Sequence, residues 1–149
     1  MNRRTFLHFG GKLTLASVAA FNFGCSLQPM INDGSKIALI YGTRYGATRD
    51  TAEWVAAGTG QKIDLLNIET LDFEQTVKEY DTFILGSGIW IDGPHKRLIE
   101  LLQTHKDTMQ EKIIASFIVC GTTGEDEAGK KRIEGYFNRF YQPLDIKPP

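Results

Sequence analysis

The stretch Lys36-Ile-Ala-Leu-Ile-Tyr-Gly-Thr-Arg-Tyr-Gly-Ala-Thr-Arg-Asp-Thr-Ala52 decides the fold. It reads as a short apolar strand, a loop bearing hydroxyls and glycines from Thr43 to Thr48, and an amphipathic helix. A helix N-terminus leaves backbone N–H groups unpaired and carries partial positive charge, which suits a phosphate. Gly42 and Gly46 let the backbone turn tightly and approach a ligand. Thr43 and Thr48 add hydroxyl donors, and Thr48 is placed to cap the helix when no ligand is present. The alternative is a Gly/Thr turn that merely caps a helix. No lysine follows the loop as in a Walker A sequence and no G-x-G-x-x-G is present, which argues against ATP and dinucleotides.

Outward from this stretch, strands and helices alternate, the pattern of a parallel sheet covered on both faces. The strands are expected over Lys36–Tyr41, Gln61–Ile68, Thr82–Gly86 and Lys112–Cys120. Three are near-continuous apolar runs, as in strands buried on both sides. The second alternates and suits a sheet edge. Thr51, Ala52, Val55 and Ala56 form the core face of a helix over Thr48–Gly58. Phe73–Tyr80 supplies a short helix. Pro94 fits the first position of the next helix, whose buried face is Leu98, Leu101 and Leu102. Ile133, Tyr136, Phe137 and Phe140 repeat the spacing in the last. No internal repeat or low-complexity tract occurs.

Thr43-Arg-Tyr-Gly-Ala-Thr48 resembles the T-x-T/D-G-x-T phosphate loop of the flavodoxins, which binds the phosphate of FMN. Its Thr-Arg-x-Gly-x-Thr-Arg form looks most like the flavodoxin-like, quinone-dependent protoporphyrinogen oxidases. The resemblance extends from about Lys36 to Tyr141. It implies an α/β, flavodoxin-like open parallel sheet of order 2-1-3-4-5, with ligand at the carboxyl ends of strands one and three, where the strand order reverses. After Tyr141 the chain runs Gln-Pro-Leu-Asp-Ile-Lys-Pro-Pro. The three prolines oppose a ladder strand, so order 2-1-3-4 is expected, without a fifth strand and last helix. Strand four would then be an edge with its apolar face partly bare, favouring a homodimer or a partner that completes the sheet.

The resemblance also carries cofactor-binding roles. Thr43, Arg44, Tyr45, Gly46, Ala47 and Thr48 would hold the phosphate, and Ser87, Gly88, Ile89 and Trp90 would contact the isoalloxazine ring. Small residues there let backbone amides approach the ring edge, and Trp90 can stack on its face. Trp90 as an aromatic cover over the sheet edge is the competing reading. Gly121, Thr122 and Thr123 can lie against the ring's polar edge, while Glu125 or Asp126 can cap the next helix. Acids near the ring would disfavour its anionic reduced form. Asp92, His95, Lys96 and Arg97 are placed to meet a quinone or an anionic porphyrin, or are simply a solvated helix start.

Lys and Arg number 17 against 18 Asp and Glu, a net charge of −1, but the balance is uneven. Residues 1–32 hold Arg3, Arg4 and Lys12 and no acid; removing these three from 17 leaves 14 basic residues against 18 acids, a net −4 for the remainder. A nucleic-acid binder needs a basic stripe, so that class is excluded. Asn2-Arg-Arg-Thr-Phe-Leu7 resembles the twin-arginine export consensus, and the apolar stretch Leu13–Phe23 is too short for a span of about 20 residues. A basic first turn on an apolar helix is the alternative. Twin-arginine systems move folded proteins, which suits one that must acquire FMN before export. Gly24-Cys25 resembles a lipoprotein processing site, though Asn22 departs from its usual leucine; cleavage near Ala19 or Ala20 competes. Lipidation of Cys25 would place the protein on the periplasmic or cell-envelope membrane surface. The organisation expected is a signal over 1–25, a linker over 26–35 and one FMN-binding domain over 36–149.

Cys120 ends a buried-looking strand and reads as a core thiol, with no disulfide expected. His95 and His105 lack ligand-like neighbours, so no metal site is expected. Ser87 in Gly-Ser-Gly is not a G-x-S-x-G nucleophile elbow, and no side chain is assigned a catalytic role. The functions left are an FMN oxidoreductase passing electrons between an organic substrate and a quinone, an exported electron carrier serving a redox partner, or a remnant that no longer binds flavin.

Overall fold

In the computed structural model, residues 34–91 and 93–146 are described. The expected export signal, Cys25, most of the linker, Asp92 and the last three residues lie outside them. The run Ile37–Gly42 forms strand β1, buried at every position. It pairs in parallel with β2 (Ile63–Asn67) on one side and β3 (Thr82–Gly88) on the other. Strand β4 (Ile113–Val119) pairs with β3, giving the order β2-β1-β3-β4. In the β1–β3 register Gly42 stands opposite Ser87, so both strands end together at the point where the order reverses.

Strand limits depart from expectation for local reasons. β2 stops at Asn67 because the Asn67 side chain accepts the Glu69 N–H at 3.0 Å and opens a 3₁₀ turn over Ile68–Thr70. Ile68 thereby leaves the ladder and enters the core, fully buried. β3 runs two residues further than expected, since Ser87 and Gly88 still pair with Ile118 and Val119. Cross-strand pairing overrides the poor strand propensity of Gly-Ser-Gly. β4 is half-buried at every position rather than buried, because among the described residues it has a neighbour on one side only. Its Phe117 ring lies over Gly86, where any side chain would collide with it.

The alternation of β1 sends Ala38 and Ile40 to one core and Leu39 and Tyr41 to the other. Helix α1 (Ala47–Thr59) covers the smaller core with Ala52 and the half-buried Val55, while its Trp54 faces outward. The larger core takes Leu98, Leu101 and Leu102 of α3 (Lys96–Thr104). It also takes Val77 of α2 (Phe73–Glu79) and Phe140 and Tyr141 of α5 (Glu127–Tyr141). Pro94 precedes α3 by two residues instead of opening it; His95 is the N-cap.

Two elements were not expected. Lys106–Lys112 forms helix α4, which buries only Met109 and therefore shows no apolar periodicity. The tail beyond Tyr141 is packed: Gln142–Leu144 makes a 3₁₀ turn, Leu144 is fully buried, and the Gln110 side-chain amide donates to its carbonyl. The Tyr141 hydroxyl donates to Ser116 Oγ at 2.8 Å, tying α5 to β4. Among the described residues no helix is long and apolar enough to cross a membrane.

Candidate functional site

Gly46, at φ 95°, is the N-cap of α1 and makes no side-chain capping bond. A residue with a Cβ is strained in that left-handed conformation. Thr43 Oγ1 accepts the Gly46 N–H at 3.0 Å and closes the loop on itself. Thr48 is not the cap expected: the helix begins at Ala47, so Thr48 is its second residue and only 2% exposed. Its hydroxyl lies where it would meet a Cβ on Gly88 at 2.9 Å, so the start of α1 and the end of β3 converge. The N–H groups of Ala47, Thr48 and Arg49 open the helix with no intrahelical acceptor. That set of donors on a positive helix end is the chemistry of an anion cradle.

Beyond β3, Ile89 donates its N–H to Val119 at 2.9 Å, while Trp90 and Gly93 exchange both backbone bonds at 2.9 and 3.2 Å. Between them Ile91 takes φ 48° and is exposed. This turn holds the Trp90 ring 5.3 Å from that of Tyr45, edge to face. The Arg44 guanidinium lies 4.2 Å over Trp90 and 5.7 Å from Tyr45. Three residues from two loops thus form one cation–aromatic stack, with Trp90 still 46% exposed.

On the third side stands His95. Its N–H donates to Ser87 Oγ at 2.9 Å, and Ser87 donates in turn to the Gly88 carbonyl at 3.1 Å. Ser87 is fully buried by these contacts. The imidazole packs on Gly42, where a Cβ would come within 2.5 Å of it, and its Nε2 lies 3.0 Å from Glu69 Oε1. Arg97 fixes Glu69's neighbourhood, donating to the Ile68 and Leu71 carbonyls at 3.1 and 3.5 Å and lying 5.0 Å over Phe73.

These walls enclose a cavity of about 930 Å³, within the range of small-molecule sites. Of the residues expected to hold a cofactor, Thr43, Arg44, Tyr45, Ala47, Thr48, Gly88, Ile89 and Trp90 line it. Gly46 shapes the loop, and Ser87 is turned to His95. Gly121, Thr122 and Thr123 are not in the wall. Their loop folds back on α5, with Thr122 Oγ1 3.5 Å from the Tyr136 hydroxyl and a Cβ on Gly129 barred by the Thr123 carbonyl. Asp126, rather than Glu125, caps α5, accepting the Gly129 N–H at 2.7 Å. Cys120 is half-buried, its Sγ 3.6 Å from the Thr122 carbonyl, and so is not the core thiol expected. His95, Lys96 and Arg97 do line the cavity; Glu69 and Val119 do so without any sequence signal. No metal-binding cluster occurs among the described residues.

A parallel sheet of order β2-β1-β3-β4 with a glycine-capped helix start where that order reverses defines the open α/β class. The model of the flavodoxin domain family matches residues 38–146, and the chain belongs to that family. Among solved structures, the WrbA-like flavodoxin of Agrobacterium tumefaciens superposes with a TM-score of 0.55 at 20% identity, over 74% of this chain and 73% of that one. A flavoprotein from Lactobacillus acidophilus, solved in complex with FMN, gives 0.51 at 17% identity over 76% and 89%. A Fusobacterium nucleatum flavodoxin mutant bound to flavin mononucleotide gives 0.55 at 12% identity over 76% and 65%. These likenesses establish the fold. No curated protein matches the chain.

Proposed function

We propose that this chain binds FMN, its phosphate in the Thr43–Thr48 loop and its ring beside Trp90, and acts as a redox flavoprotein. The observation that carries this is the helix start itself. The Gly46 N-cap leaves the α1 donors free, and buried Thr48 places a hydroxyl beside them in the cavity wall. The residues present fit the group: an anion cradle at one end, and at the other an aromatic face that Trp90 keeps half-exposed. The two FMN-bound neighbours support the same cofactor. When bound, the flavin supplies the electron chemistry. The chain's own residues bind the phosphate, orient the ring and narrow access to it through Arg44, Tyr45 and Trp90.

The reaction proposed is electron transfer between an organic substrate and a quinone, on the likeness of the phosphate loop to quinone-dependent protoporphyrinogen oxidases. Export by the twin-arginine route, with a lipid on Cys25, and self-association along β4 belong to the same proposal. An exported electron carrier is the second reading, favoured by the exposed apolar lip of Tyr45, Trp90 and Ile91, where a redox partner can approach the ring. The visible spectrum of the purified protein tests flavin binding. A quinone-reduction assay then separates enzyme from carrier. A colourless, folded protein that takes up no FMN would overturn both.

A further inference from the structure

Residues 33–149 hold 14 basic residues against 18 acids, a net −4, yet the mouth of the cavity is apolar and cationic. Tyr45, Trp90 and Ile91 line the cavity and are all exposed, Tyr45 by 74% and Ile91 by 86%. The Tyr45 and Trp90 rings meet at 5.3 Å and Ile91 follows in the chain, so the three form one patch. Ile91 holds φ 48°, a conformation that a β-branched side chain adopts only under strain. Asparagine or glycine would make the same turn without that cost. The strain presents an isoleucine at the most exposed point of the patch.

We propose that this lip docks on an anionic lipid bilayer, with Tyr45, Trp90 and Ile91 in the interface and Arg44 and Lys96 against the headgroups. The docking stands on the lip itself; its use, admitting a bilayer-dissolved quinone to the flavin, rests on the reading above. Tyrosine and tryptophan rings beside an apolar tip are side chains that settle at a membrane interface. The charges are complementary to an acidic surface. Arg44 lies 4.2 Å over Trp90, and exposed Lys96 has no ion-pair partner among the described residues. The neighbouring charges are engaged: Glu69 faces His95, Arg97 binds carbonyls, and Arg49 is paired with Asp50 and Glu53. Asp92, next in the chain, lies outside the described residues. The net −4 of the domain repels such a surface, so only an approach with the lip foremost is favourable. A protruding apolar tip needs no matching hollow in a bilayer, as it would in a protein partner.

The test is partition of the full chain onto vesicles of phosphatidylcholine and of an equal mixture of phosphatidylcholine and phosphatidylglycerol. The N-terminal residues are common to every variant, so any anchoring by them contributes equally. The assay needs no flavin, so its result stands apart from the FMN reading. Ile91→Asn should bind the mixed vesicles roughly tenfold more weakly, while its thermal unfolding midpoint stays at or above that of the wild type. Lys96→Gln should lose about fivefold on the mixed vesicles and nothing on phosphatidylcholine. Lipid brominated in its acyl chains reads which face touches the bilayer. Trp90 in a Trp54→Phe chain should be quenched, and Trp54 in a Trp90→Phe chain far less. Trp54 lies seven residues beyond Ala47 on α1, about 10 Å further along the helix. Equal quenching of the two tryptophans, undiminished binding by Ile91→Asn, or a Lys96→Gln loss that is the same on both vesicles would overturn the proposal. So would a wild type that binds neither vesicle.

Discussion

Thr48 and Gly88, forty residues apart in sequence, meet so closely that a Cβ on Gly88 would stand 2.9 Å from Thr48 Oγ1. The contact seats the first turn of α1 against the end of β3, and so fixes the backbone donors at the α1 start relative to the turn that carries Trp90.

Gly88→Ala should therefore act on binding through the loop. Overpacking at a tight site costs about 1–3 kcal/mol, and here the strain falls on Thr48. FMN affinity should drop by at least tenfold while the far-UV circular dichroism spectrum stays unchanged. Wild-type affinity in the variant would show that α1 can shift without consequence. Thr48→Glu places a negative charge beside the phosphate and should abolish binding in the same titration.

Trp90→Ala should weaken FMN binding by roughly 1–3 kcal/mol through lost stacking and burial. The variant also removes the face on which Arg44 rests. An unchanged affinity and an unchanged flavin absorption band would reduce Trp90 to a cover over the sheet edge.

Lys112 ends α4 with its ammonium donating to the Val77 and Tyr80 carbonyls at 2.9 and 2.8 Å, closing the C-terminus of α2. Cations bound to terminal carbonyls in partly buried positions contribute about 1–2 kcal/mol. Lys112→Met keeps the aliphatic stem and should lower the midpoint of urea unfolding accordingly, without changing FMN affinity. No change in midpoint would show that water replaces the ammonium at no cost.

The Tyr80 hydroxyl donates to Asp64 at 3.0 Å, and burial, aided by that carboxylate, pushes its pKa up to about 12. An unfolded tyrosine ionises near pH 10. The stabilisation is complete below the unfolded value and is lost as the pH climbs through the folded one. Stability should fall between about pH 10 and 12, and Tyr80→Phe should flatten that part of the profile. Burial also raises the pKa of Tyr141, which adds a loss of the same sign and leaves a residual slope in the variant.

Much of this fold is legible from one local pattern. The apolar run of β1, the glycine that must take a left-handed turn and the threonines that follow are neighbours in the chain. Their meaning does not depend on distant partners. The leucines of α3 and the aromatic spacing of α5 were readable for the same reason, because amphipathic helices announce their buried face. α4 was not, since Met109 alone enters the core. The packed tail was not either, because Leu144 is buried by elements that arrive from elsewhere in the chain.

The sequence by itself determined the strand–loop–helix unit, the alternation of strands and helices, and the glycine-bearing loop that opens α1, since each follows from side-chain periodicity and backbone freedom over a few residues. Only the tertiary structure decided how the residues of the site meet. It turned Ser87 inward to His95, brought Glu69 from the far side of β1, stacked Arg44 and Tyr45 on Trp90, and folded the Cys120–Asp126 loop back on α5. Those outcomes depend on strand order and register, which place residues tens of positions apart within hydrogen-bond reach, and no local pattern in the chain records that proximity.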